Sequence, residues 1–176
     1  MASMMDRMIR AAKLDILLYE EVEADKGAMG QAMGVVVLAS IAGGFGSGIQ
    51  GGLSGVFVGT IGALIGWLIW AGLTYLIGTK LLPEPQTRAD LGEMLRTIGF
   101  ASSPGLIRVL GVIPGIGGLV LLVSAIWMLV AMIIAVRQAL DYQSTFRAVG
   151  VCVIGWLIQG LVLFLVLLFF ATPGLE

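Results

Sequence analysis

Histidine is absent from the 176 residues, and Cys152 is the only cysteine. Those absences exclude a zinc site built on His or Cys, haem held by histidine, a Ser-His triad and an intrachain disulfide. Charge is scarce too: 12% of the residues are Asp, Glu, Lys or Arg, against about a quarter in a soluble domain. The net charge of −1 leaves no electrostatic footprint for nucleic acid. What is abundant is apolar side chain, at 59%, together with 26 glycines. A water-soluble core of this size cannot hide that much apolar surface, so for much of the chain the solvent is lipid.

Residues 1–28 read as a segment apart, ahead of a membrane domain at 29–176. Met5, Met8, Ile9, Ala12, Ile16 and Tyr19 share one helical face, with Asp6, Arg10, Lys13, Glu20 and Glu21 opposite. That pattern predicts an amphipathic helix lying on the membrane surface. It is not a signal peptide, because no uninterrupted apolar stretch with a small-residue cleavage site follows its basic residues. Apolar segments then occupy residues 31–49, 54–79, 91–113, 115–136 and 145–170. A helix needs about 20 residues to cross the hydrocarbon, so the expected fold class is all-α: a polytopic bundle of five transmembrane helices with an interrupted third.

Charge placement orients such a bundle. If all five segments cross, nine of the ten basic residues fall on one side, and Arg108 is the exception. The bias of Lys and Arg toward the cytoplasm then places the N-terminus inside, the C-terminus outside and the protein in a bacterial inner membrane. A four-crossing chain whose third segment dips back would leave Arg137 and Arg147 outside.

The third segment holds the candidate contact residues. Pro104 lacks an N–H and disfavours helix at Ser103, so two short helices are expected, broken near Ser102–Pro104. Broken backbone survives within a membrane only where protein or water satisfies its polar groups. The hydroxyls of Ser102 and Ser103 are candidate partners for the freed carbonyls. Arg108 is the one ionisable residue well inside an expected span, and no Asp or Glu lies deep in any of them. Two readings stay open: the side chain snorkels to the nearer surface, or its planar fork binds a lipid phosphate or a partner carboxylate. Gly55, Gly59, Gly62 and Gly66 form a stripe of small residues, as do Gly44, Gly48 and Gly52. Such stripes let membrane helices approach closely, within the chain or against another subunit. Replacing Gly59 by Leu is expected to break whichever contact it serves.

Other features read as structural. Glu93 and Arg96 are spaced to pair on a solvated face, and Thr87 or Asp90 is placed to cap the next helix. Trp67, Trp70, Trp127 and Trp156 fall mid-span as packing groups, and Cys152 reads as a small buried hydrophobe. Met128 and Met132 share a face at a spacing that only weakly suggests copper. No nucleophile has a base, and Gly-Gly-Phe-Gly-Ser-Gly at residues 43–48 lacks the lysine and strand of a phosphate loop. The expectation is a non-enzyme without cofactor or metal.

The run Gly99-Phe100-Ala101-Ser102-Ser103-Pro104 is similar to the Gly-aromatic-x-x-x-Pro motif of the Ypt-interacting protein (Yip) family. Ile126-Trp127 and Val136-Arg137-Gln138-Ala139-Leu140 resemble its prokaryotic branch, and the likeness covers roughly residues 29–170. The resemblance implies a five-span protein with a cytoplasmic N-terminus and no enzymatic activity. Arg108, Ser102, Ser103, Pro104, Gly99 and Phe100 in this segment are the candidate lipid or partner contacts. Eukaryotic members act in vesicle traffic and bind Rab-type GTPases, and carry an Asp-Leu-Tyr-Gly-Pro motif. The nearest text here is Asp15-Ile16-Leu17-Leu18-Tyr19-Glu20-Glu21, without Gly-Pro. The function expected is packing against lipids, partner membrane proteins or a second copy. The alternatives are an accessory subunit of a respiratory or photosynthetic complex and, less favoured for want of polar lining, a channel or small-solute transporter.

Overall fold

The computed structural model describes residues 2–46 and 52–171, and all its regular structure is helical. Two short helices come first, α1 (Met4–Ala12) and α2 (Ile16–Ala24). The Oγ of Ser3 caps α1 by accepting from the Asp6 N–H at 3.1 Å. Asp15 caps α2 through the Leu17 N–H at 3.0 Å. Between them Leu14 adopts φ +62°, a left-handed conformation that reverses the chain. The expected single surface helix is therefore a hairpin, and it lies against the bundle. Met8 and Tyr19 of the expected apolar face are buried, but Met5, Ile9 and Ile16 stay exposed. The face is reset because Arg7 turns inward, at 3% exposure. It donates to Glu21 at 2.9 Å, Asp25 at 2.8 Å and Gln31 at 3.1 Å. A guanidinium can leave water only when partners of this kind satisfy its donors.

Four stretches among the described residues are long and apolar enough to cross a membrane: Lys26–Gly46, Ser54–Leu81, Gly117–Ala139 and Thr145–Phe169. They contain α3 (Met29–Gly46), α4 (Gly52–Leu76, continued by a π-turn at Ile77–Leu81), α6 (Gly117–Ala139) and α7 (Thr145–Ala171). The third of the five expected segments is interrupted near Pro104, as its sequence leads one to expect. It is α5 (Leu91–Phe100), then a 3-10 helix at Ser103–Val112. Asp90 and Glu93 close a capping box at the start of α5. Pro104 enters the 3-10 helix near its beginning, where its missing N–H costs nothing.

The broken segment nonetheless runs the length of α3. A Cβ on Gly92 would stand 3.9 Å from the Met29 Cε, and one on Gly99 would stand 2.8 Å from the Ala32 Cβ. At the far end a Cβ on Gly111 would stand 2.8 Å from the Gly46 carbonyl oxygen. A Cβ on Gly117 would in turn stand 2.7 Å from the Gly111 carbonyl oxygen, which starts the return along α6. The 3-10 rise of about 2.0 Å per residue against about 1.5 Å in an α-helix stretches the short segment to that reach.

The opposite end of the bundle is tied by side chains. The Tyr142 hydroxyl lies 2.9 Å from the Gly78 carbonyl oxygen and 2.7 Å from that of Leu82. Burial, with the Glu84 carboxylate nearby, pushes this phenol up to about 12, so it remains a donor. Arg147 donates to the Pro83 carbonyl at 2.8 Å and pairs with Glu84 at 3.4 Å. Leu81, Arg137 and Arg147 thus sit at one end, and Gly46, Gly111 and Gly117 at the other.

The stripe assigned to helix packing needs correction. A Cβ added at Gly59, Gly62 or Gly66 meets nothing within 4 Å. None of the three makes a close approach inside the chain: Gly59 and Gly62 are exposed, and Gly66, half-buried, faces a cavity; Gly55 is half-buried on the same helix. In the second stripe, a Cβ on Gly44 makes only ordinary contact with Val56, and Gly48 lies outside the described residues. The tight positions include Gly46, Gly78, Gly99, Gly105, Gly111, Gly117 and Gly155. A Cβ on Gly46 would overlap the Arg108 carbonyl, backbone that cannot swing aside. Gly46→Ala is therefore expected to destabilise the protein by about 1–3 kcal/mol. Gly62→Ala should stay within about 0.5 kcal/mol of the parent. Thermal unfolding of the two variants in one detergent checks the contrast.

Candidate functional site

The break after α5 is built locally. Gly99 lets the helix end lie on Ala32, Phe100 is fully buried, and the Ser103 Oγ donates to the Phe100 carbonyl at 2.7 Å. That bond satisfies a carbonyl freed by the missing N–H of Pro104, as the sequence leads one to expect. Ser102 instead lines a cavity. The 3-10 helix carries Arg108 along a trough of glycines. Its Nη1 would lie 3.1 Å from a Cβ on Gly43, and its Nη2 3.2 Å from one on Gly105. Together with Gly46, these glycines are the room the arginine occupies.

The guanidinium turns inward rather than snorkelling outward. Arg108 Nε donates to the Ser124 Oγ at 3.2 Å, and Nη2 lies 2.6 Å from the Met128 Sδ. Ser124 and Met128 lie about 10 and 16 Å of helical rise past Gly117, so the charge points toward mid-bundle. The partners are one hydroxyl and one thioether, and a thioether is a weak acceptor.

The cavity that Arg108 borders has a volume of about 550 Å³. Trp67, Trp70, Ala39 and Leu129 supply its apolar walls, and Ser40, Ser102 and Gln159 its polar points. Trp67 and Trp70 are buried and fixed: the first donates to the Leu95 carbonyl at 3.0 Å, the second lies 3.2 Å from the Met132 Sδ. The cavity opens sideways between α4, α6 and α7, past Ile126 at 55% and Trp156 at 47% exposure. Trp70 and Trp156 hold that margin with ring centroids 6.2 Å apart. The two methionines at copper-like spacing are thus engaged by Arg108 and Trp70. Among the described residues no group of three or more His, Cys, Asp and Glu gathers to hold a metal.

A second set of polar groups fixes the hairpin to the bundle. Arg96, expected on a solvated face with Glu93, is buried at 4% exposure. It donates to the Val22 carbonyl at 2.8 Å and to that of Glu23, while Glu93 is taken by the capping box. Trp127 donates to the Ala12 carbonyl at 2.8 Å, and Gln138 to Glu20. The sequence held no signal for these pairings, because the acceptors lie more than 70 positions away along the chain and most are backbone carbonyls. Arg10 holds the carboxyls of Asp15 and Glu21 below their ordinary range, and Arg7 does the same for Asp25. Glu23 is the opposite case. Its Oε2 is buried without a partner. Burial first, then Asp141, Glu20 and Glu93, push it up to about 8 against the pull of Arg96.

Comparison with known proteins adds a family. The sequence model described as the Yip1 domain matches residues 24–170. No curated protein and no solved structure matches.

The Glu23 carboxyl sets a pH dependence. Between its ordinary value of 4.5 and about 8 the folded chain holds a proton that the unfolded chain has released. Stability therefore falls as pH rises through that window. The contributions of Asp15, Glu21 and Asp25 are lost only at lower pH, as those carboxylates protonate. Glu23→Gln is expected to raise the melting temperature at pH 8 and to flatten its fall between pH 5 and 8. Melting curves of parent and variant at those pH values decide it.

Proposed function

The chain belongs to the Yip1 domain family and is a polytopic integral membrane protein of that type, and from that premise we propose that it acts without catalysis, by engaging lipids or partner membrane proteins. The observation that carries this reading is the cavity open sideways, where acyl chains lie, with a charged side chain at its inner end. The hairpin supports it from another side. Met5, Ile9, Ile16 and Leu17 stay exposed on its outer surface, at 64, 48, 46 and 72%, an apolar face suited to the membrane boundary. In this reading residues 91–112 make the fifth crossing, beside α3. The end that gathers Arg137 and Arg147 is cytoplasmic with the N-terminus, the C-terminus is outside, and the membrane is a bacterial inner membrane.

A second reading draws on the uncovered Gly59 and Gly62. These would seat a neighbouring helix if the chain were an accessory subunit of a larger respiratory or photosynthetic complex. Purification in mild detergent separates the two: a monomer or small homo-oligomer supports the first, a large assembly with redox cofactors the second.

Topology is testable with single cysteines in a Cys152→Ser background. Pro85→Cys and Gln143→Cys are expected to react with a membrane-impermeant maleimide only after the cytoplasmic side is opened, and Ile116→Cys from outside in intact cells. Labelling of Pro85→Cys and Ile116→Cys from the same side, with Gln143→Cys on the opposite one, contradicts the fifth crossing.

A further inference from the structure

We propose that the lateral cavity binds a lipid-soluble monoanion, an amphiphile with one oxyanion head and one apolar chain, for which Arg108 is the counter-ion. The proposal rests on the lipid-engaging reading above and names the class of ligand. The first ground is charge. An arginine stays protonated in a protein, and no Asp or Glu occurs between Asp25 and Glu84 or between Glu93 and Asp141. Arg108 is half-buried, and among the described residues only Ser124 and Met128, both neutral, receive its donors. A half-buried cation held by neutral acceptors favours an anion brought from outside, and the guanidinium fork suits a carboxylate or phosphate.

The second ground is the shape of the space. A volume of about 550 Å³ falls within the range of about 300–1,000 Å³ typical of small-ligand pockets. It is far too small for a helix about 10 Å across that spans the bilayer. The walls of Trp67, Trp70, Ala39 and Leu129 suit a single chain rather than a free inorganic ion. The third ground is the entrance. Ile126 and Trp156 frame it, and Gln159 stands exposed there. Ser40 and Ser102 supply further hydroxyls along the wall.

The tryptophans make the test direct, because three of the four line the cavity and bromine on an acyl chain quenches indole fluorescence. The full chain is reconstituted in phosphatidylcholine vesicles and titrated with 9,10-dibromostearate, its methyl ester, or dibrominated phosphatidylcholine. The expected result is saturable quenching by the free acid and only weak, linear quenching by the ester and the phospholipid. Arg108→Gln should raise the half-saturating concentration by about tenfold or more, while Arg108→Lys, which keeps the charge, should fall between. Displacement by oleate at lower concentrations than by lysophosphatidate identifies the preferred head as a carboxylate, and the reverse order as a phosphate; either supports the proposal. If Arg108→Gln does not fold, the acid-against-ester comparison on the parent protein decides alone. Equal quenching by acid and ester, equal half-saturation in a folded Arg108→Gln, or no saturation overturns the proposal. The last result is the one expected if a partner helix supplies the anion. Failure here leaves partner engagement standing, since cross-linking in native membranes tests that separately.

Discussion

The backbone of the 3-10 helix touches the backbone of α3, and the rest of the arrangement depends on that contact. Glycine at 46 and 111 removes the side chains that would separate the two segments. In a membrane, helices gain little by moving apolar side chains from lipid onto one another, so close van der Waals approach is the main source of cohesion. Here the approach does more than hold two segments together. It seats a segment with a broken ladder of backbone hydrogen bonds against protein, the condition under which non-helical backbone survives at membrane depth. It also sets Arg108 in its glycine trough, from which the guanidinium can reach only inward, toward Ser124 and Met128.

The hairpin obeys a related constraint. Arg7 and Arg96 are both nearly buried, and each is surrounded by acceptors: carboxylates and an amide for Arg7, backbone carbonyls for Arg96. Arg108 departs from that pattern, since its partners carry no charge. Two buried arginines and one half-buried one thus fall into two kinds. Two act as internal clamps whose donors are met by the chain. The third faces a cavity open to the lipid side, and that contrast is what marks it as a place for a ligand.

Much of the architecture was legible in the sequence. The lengths of the apolar runs identified the four long helices, and the missing N–H of Pro104 located the break after Phe100 to within a few residues. The Ser103 bond to the freed carbonyl followed from the same reasoning. Glycine function was less legible, because spacing reveals a stripe but not which way it faces. Gly59, Gly62 and Gly66 recur regularly, yet the first two open outward and the third onto the cavity, whereas Gly43, Gly46, Gly105 and Gly111 do the close work from two separate segments without any periodic signature. The hairpin was misread for a similar reason. One helical wheel over residues 1–25 cannot show that Leu14 turns the chain back, nor that Arg96 waits to receive the Val22 carbonyl. The cavity was invisible altogether, since its lining comes from α3 to α7 and the 3-10 helix, with no motif linking them.

Hydrogen–deuterium exchange in lipid nanodiscs tests the central contact most directly. If the 3-10 helix is sealed against α3 and α6, the amides of residues 105–112 exchange far more slowly than those of the loop at residues 86–90. Exchange in residues 105–112 as fast as in that loop would mean the segment lies in water rather than against α3, and would contradict the account.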